Sequence, residues 1–269
     1  MTKFGQYHVA EPLSPSSLMR MHLHDGSTLR EVDHEPRLAV LDQEDLLAQG
    51  IHTSQLVPGA SDVDALGSCV FNATTAHLSN VLSEQGFARV TGTAGYEDTE
   101  RAEEYAIRLY HATTDLTGDP STEWPPTDCG SSGLFVCKQL ETQGVISGHK
   151  TAHGAENIVS MLQGGGVITG GPWFRSWMQP SSGGFVDGDG TEDALRVAIQ
   201  SGVAGGHERH ISAIEKLVVS ETGKVDPYKT ILRDRNSWSA AWGDHGSYRV
   251  HLSTYLMLAQ YMDFRQMVA

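Results

Sequence analysis

Asn236-Ser237-Trp238-Ser239-Ala240-Ala241-Trp242-Gly243-Asp244-His245-Gly246 is the stretch whose reading decides the fold. An Asn side chain can accept the second N–H of an imidazole and so fix its tautomer and orientation. An indole two residues on can shield that bond from water. Taken alone, the same stretch is a turn between two strands with two aromatic core residues. The rest of the chain decides between these readings.

Working back toward the N-terminus, Gly205-Gly206-His207-Glu208-Arg209-His210-Ile211 lies just before a predicted strand. A His that follows two glycines at a strand start can project into a cleft and exchange a proton with a nucleophile. His210 lies three residues further and points to the opposite face of a strand, so only one of the two can face the cleft. Further back, Leu66-Gly67-Ser68-Cys69-Val70-Phe71-Asn72-Ala73 puts Cys69 where a loop feeds a helix. Unpaired N–H groups and the positive end of the helix dipole favour thiolate there. Gly67 lets another backbone approach. Each site has an ordinary reading: a core Cys at a helix start, or one structural His among 13. Together they give the order Cys, His, Asn, with His207 placed 138 residues and Asn236 placed 167 residues after Cys69.

In that order the chain resembles a papain-like (C1-type) cysteine peptidase, in a divergent bacterial or bacteriophage-like form. The family separates Cys from His and Asn by roughly 130–150 residues. Gly67-Ser68-Cys69 resembles the Gly-Ser-Cys of its nucleophile helix. Cys129-Gly130-Ser131-Ser132-Gly133-Leu134 resembles the loop that lines its main specificity pocket. Gly164-Gly165-Gly166-Val167-Ile168 resembles the strand that opens its β-rich lobe, and Gly206-His207 the segment that carries the base. Asn236-Ser237-Trp238 with Trp242-Gly243-Asp244-His245-Gly246 resembles its Asn-Ser-Trp-Gly block. The resemblance runs from about residue 64 to 264 and implies Cys69 as nucleophile, His207 as acid and base, and Asn236 as orienter. It further implies that Gly67, Ser68, Gly130, Ser131, Ser132, Gly133 and Trp238 border the substrate. The family's oxyanion Gln, six residues before the Cys, is replaced by Val63, with Asp62 and Asp64 beside it and Gln55 further off. Ser239 stands where the family has Gly, and Leu66 where it has a disulfide cysteine, so Cys129 has no evident mate.

The implied fold is α+β, with a helical N-terminal lobe and an antiparallel, barrel-like β lobe. Periodicity agrees on the class. It predicts a helix from Ser68 to near Gly86, others over Thr99–His111, Ser132–Gln143 and Ala155–Leu162, and a last one over Thr254–Phe264. Strands are predicted over Val167–Gly170, Ile211–Val219, Tyr228–Arg233 and Ser247–Leu252. Residues 1–60 read as an arm or removable segment broken by Pro12, Pro15, Pro36 and Pro58, with a short helix at Gln43–Ala48. The expected peptidase domain is 61–269, helical over 61–163 and β-rich over 164–269.

A formal charge of -14 argues against a nucleic-acid backbone or an anionic membrane as partner. No apolar run approaches the roughly 20 residues of a membrane span, and Met1–Arg20 shows no apolar signal core. Three cysteines, Cys69, Cys129 and Cys137, are no disulfide scaffold. His22-Leu23-His24-Asp25, with Asp33 and His34 nearby, could offer metal ligands, but the expected reading is a polar loop with two exposed His. His207-Glu208-Arg209-His210 lacks the four-residue spacing of a zincin helix, and the glycine runs lack the Lys-Ser/Thr of a P-loop. No cofactor is therefore expected, and the expected partner is a peptide or protein substrate. The alternatives are a weakened fold of this type acting as a structural or binding module, and an acyl transferase using the same thioester.

Overall fold

The structure, a computed structural model, describes residues 29–38, 41, 66–114 and 121–269. Helix α1 (Cys69–Val81) starts at the expected place. It does not run on to Gly86. Leu82 turns extended, and the Ser83 side chain accepts the Gly86 N–H at 3.2 Å. Ser83 therefore caps a second helix, α2 (Glu84–Thr91), with Gly86 in its first turn. Helix α3 (Thr99–Thr114) continues past His111, its last threonines bonding back to the Leu109 and Tyr110 carbonyls. Helix α4 (Gly133–Thr142) is capped by Ser132 and followed by Gly144 at φ 68°. Helix α5 (Ala155–Leu162) matches its expected bounds.

One antiparallel sheet holds the other half of the molecule. Strand β1 (Val32–Asp33) lies beside β4; the main order is β2 (Gly148–Thr151), β7 (Asp263–Val268), β3 (Val167–Phe174), β4 (Val203–Lys216), β5 (Ile231–Arg235) and β6 (Ser247–His251). Three expectations are corrected. The expected helix over Thr254–Phe264 is a short α7 (Leu252–Met257), a 3-10 turn (Ala259–Tyr261) and the start of β7. The β7 partners are Gly148–Thr151 and Ile168–Gly170, about a hundred residues away, which local periodicity cannot see. Strand β4 begins at Val203, so His207 lies inside it, opposite Gly171 of β3, rather than ahead of it. Helix α6 (Glu192–Ser201), capped by Thr191, has no counterpart among the expected elements and breaks the segregation of helices from strands.

Alternation along β4 divides the interior. His207, Arg209 and Ile211 turn toward a core built with Trp173, Leu232, Tyr248 and Phe264. His210 turns the other way, toward α1, where Phe71, Leu78, Tyr110, Val136 and Ile168 form a second core under the helices. Residues 29–38 bridge both sides. Arg235 pairs with Glu35 at 2.6 Å, while the Glu35 carbonyl and Ser79 hydroxyl tie the same segment to α1.

Candidate active site

Strand β4 delivers His207, and the end of β5 delivers Asn236. The His207 Nε2 lies 2.8 Å from the Asn236 side-chain oxygen. An amide oxygen only accepts, so Nε2 carries the proton, and in a neutral ring the lone pair is on Nδ1. The same oxygen accepts the Ser237 N–H at 2.8 Å, and the Asn236 N–H donates to the Gly246 carbonyl, so the amide has one orientation. Trp238 stacks on the imidazole at 4.9 Å and 26°, while Trp173 meets it edge-on at 5.1 Å. Trp242 packs edge-on against Trp238 and anchors its indole N–H on the Met178 carbonyl. Burial lowers the His207 pKa to about 3, with Arg209 adding to the effect and the Asn236 bond opposing it. Burial by itself thus favours a neutral ring that is able to take a proton. Ser239 holds φ 80°, a conformation that favours glycine, and its hydroxyl accepts the Ala241 N–H within that turn.

Cys69 is the first residue of α1, 8% exposed. Around it runs a polar chain: the Ser68 hydroxyl donates to Asn72 at 2.7 Å, and the Asn72 amide donates to Glu103 at 2.6 Å. The Gly67 N–H donates to both Asp128 carboxylate oxygens at 3.1 Å. The Tyr110 hydroxyl donates to Asp128 at 3.0 Å and accepts the Gly130 N–H at 2.6 Å. Asp128 and Tyr110 thereby bind the Gly67-Ser68 turn to the Gly130–Gly133 loop. Ser131 and Ser132 are buried, and Gly133 reaches the sheet, where an added Cβ would come 2.9 Å from Glu208. Asn72, Ala73, Glu208, Asn236 and Ser237 line one small cavity. Asn72 and Ala73, early in α1, and Asn236, the partner of His207, thus border the same cavity.

No disulfide joins the three cysteines. Cys137 is sealed inside, and burial pushes its thiol far up; Cys129 is raised by burial too and donates to the Thr122 carbonyl at 2.8 Å. Of the three, Cys69 alone stands at a helix N-terminus. The expected oxyanion position Val63, with Gln55, Asp62 and Asp64, lies outside the described residues, as do His22, His24 and Gln43–Ala48. Asp33 pairs with Arg233, and His34 bonds the Leu162 carbonyl. No group of three metal-ligating side chains occurs among the described residues.

The structure adds residues that sequence reading missed. Trp173 sits at the centre of the aromatic cluster, and Arg209, Asp234, Tyr248 and Tyr255 form a buried polar network behind His207. A charge in mid-strand, at Arg209 and again at Asp234, is a signal that could have found two of them.

The chain matches no protein-family model and no curated protein. Among solved structures it is similar to xylellain, a cysteine protease from Xylella fastidiosa, at 14% identity and a TM-score of 0.52, covering 100% of this chain and 97% of that one. It is also similar to digestive procathepsin L 3 of the Tenebrio molitor larval midgut, at 13% identity and a TM-score of 0.50, covering 93% of this chain and 74% of that one. At such identities the likeness is one of fold: the chain has the papain-like α+β fold. No helix among the described residues is long and apolar enough to cross a membrane.

Proposed function

We propose that the chain is a cysteine peptidase that hydrolyses peptide bonds through Cys69, His207 and Asn236. The observation that carries the reading is the His207–Asn236 bond, capped by Trp238, with Asn236 lining a cavity that it shares with Asn72 and Ala73 of α1, the helix that Cys69 opens. With Nε2 committed to Asn236, proton exchange with the thiol falls to Nδ1. The helix N-terminus favours the thiolate, and the thiolate in turn favours the imidazolium, offsetting the burial that by itself favours the neutral ring.

The thiolate adds to the scissile carbonyl, and the Cys69 backbone N–H at the helix start donates to the oxyanion. His207 gives its proton to the leaving amine, the C–N bond breaks, and an acyl thioester remains. Water then attacks with His207 as base, releasing the acid and restoring the thiol. Asn236 holds the ring in the one tautomer that serves both steps. The substrate would lie between helices and sheet, a reading supported by the Gly67-Ser68 turn bound to the Gly130–Gly133 loop and by Trp238. The peptidase domain spans 61–269.

Incubation with a diverse peptide pool, with Cys69→Ala as control, tests the reading. New termini that appear with the wild-type chain and vanish in the variant support it. Equal products from both, or none from either, would count against a peptidase.

A further inference from the structure

Arg209 lies two residues beyond His207 on the same face of β4 and is 1% exposed. Its guanidinium donates to the His207 carbonyl at 2.6 Å, to the Tyr248 hydroxyl at 3.0 Å and to the Tyr255 hydroxyl at 3.4 Å. Both tyrosines donate in turn to one carboxylate oxygen of Asp234, Tyr248 at 2.9 Å and Tyr255 by a shorter bond. Asp234 lies two residues before Asn236 on β5. The guanidinium is held between two rings, 5.5 Å from the Trp173 centroid and 5.6 Å from that of Tyr255. Trp173 itself presses edge-on against His207.

A single buried chain, Arg209–Tyr248/Tyr255–Asp234, thus grips β4 at the main chain of His207 and β5 two residues short of Asn236. We propose that Arg209 and Asp234 are positioning residues that hold His207 and Asn236 in register from beneath the site. The proposal rests on the reading of Cys69, His207 and Asn236 given above. It goes beyond that reading because neither residue touches the substrate or the reacting atoms.

A buried ion pair can serve stability or specificity alone. What separates positioning from bulk structure is the charge that each partner presents to the imidazole. On its own strand, His207 faces the Arg209 cation, with Glu208 on the opposite side. From β5 it faces neutral Asn236 and, further in, Asp234. From β6 and α7 come the Tyr248 and Tyr255 hydroxyls, and β3 and the turn after β5 contribute Trp173 and Trp238; the proposed reading adds the Cys69 thiol from α1. Beyond Asp234 lies the Asp187–His251 pair. Burial works against the Arg209 charge, but the oxygens of Tyr248, Tyr255 and Asp234 outweigh it and keep the guanidinium ionised. Burial raises Asp234 to about 6, which Arg209 and the tyrosines oppose, so it is mostly ionised at neutral pH. Arg209 repels the protonated imidazole, and Asp234, of opposite charge and bonded to the same tyrosines, is expected to act in the opposite sense.

Opposite variants should therefore move the site in opposite directions. The measurement is the second-order rate of Cys69 alkylation by iodoacetamide across pH, read by mass spectrometry on the full chain. The alkaline limb of the thiolate–imidazolium form follows His207. Arg209→Met should shift that limb upward, and Asp234→Asn should shift it downward, each by about half a unit or more. Arg209→Lys keeps the charge but loses the fork, so the limb should stay while the rate falls roughly tenfold. Limbs that coincide with wild type in both charge variants, or that move in the same direction, would overturn the proposal. Should either buried variant fail to fold, Tyr255→Phe keeps the volume and removes the links to Asp234 and Arg209. A several-fold loss of alkylation rate is expected there, and a wild-type rate and profile would overturn the proposal. A wild-type chain whose Cys69 titrates as an ordinary thiol defeats the peptidase reading and this proposal together. A wild-type chain with a clear His207 limb and silent variants defeats this proposal alone.

Discussion

Two imidazoles three residues apart on β4 have opposite surroundings. His207 and His210 are both buried, and burial lowers both pKa values. His207 has a committed amide partner and a stacked indole. Among the described residues neither ring nitrogen of His210 has a hydrogen-bond partner, and its neighbour is a second buried imidazole, His77 on α1, at 5.4 Å between ring centroids. His77 in turn accepts the Met267 N–H at 3.2 Å. Burial therefore does not separate the two. A fixed tautomer and a shielded partner do, and among the described residues it is the His207 face of the strand that supplies them; the proposed catalytic role of His207 rests on that difference.

The sharpest way to break that contrast is to exchange the two histidines' fates. His207→Ala is expected to cut Cys69-dependent peptide hydrolysis by about 10³-fold or more. His210→Leu should leave it within a few-fold. Comparable losses in kcat/KM would erase the distinction. Next in size is the partner: Asn236→Leu should lower the rate by roughly 10²-fold, because the ring loses its orientation while the fold persists. Circular dichroism and the melting midpoint would confirm the latter. Smaller still is the cover. A ring pair is worth about 0.5–1.5 kcal/mol, so Trp238→Ala should cost about tenfold or less, and a loss rivalling that of Asn236→Leu would mean that Trp238 does more than shield.

Stability sharpens the contrast from the other side. The folded pKa of His77, about 3, lies below the ordinary 6.5, and His210 is lowered as well. Below pH 6.5 the unfolded chain then binds more protons than the folded one. Stability should fall as the pH drops from about 6.5 toward 3, by up to about 1.4 kcal/mol per pH unit for each such His. Urea midpoints across that range would show it, and His210→Leu should remove one proton's worth of slope. An unchanged slope would mean that His210 is not held neutral.

How much of this was legible in the sequence depends on how local each cause is. Helix α5 has its bounds written beside it, Gly154 before and Gly164–Gly166 after, and its residue range was recoverable. The α1–α2 break was not, because an apolar stripe continues through Leu82 while Ser83 claims the Gly86 N–H. The final strand was hidden for a different reason: Asp263–Val268 is held by ladders to strands far back in the chain. The candidate site divides along the same line. Asn236, Trp238 and Trp242 form a dense block that can be read in place, and His207 follows from the resemblance. The Arg209–Asp234 network depends on Tyr248 and Tyr255, which meet it only after four elements have folded together.

The central claim is that folding couples the Cys69 thiol to the His207 imidazole. The most direct measurement is the pH dependence of iodoacetamide labelling at each cysteine, in the wild-type chain and in His207→Ala. The account predicts fast labelling of Cys69 that persists well below the ordinary thiol pKa of about 8.5, slow labelling of Cys129 and Cys137, and collapse of the Cys69 advantage in the variant. Cys69 labelling that rises only near that ordinary value, at the same rate with and without the imidazole, would contradict it.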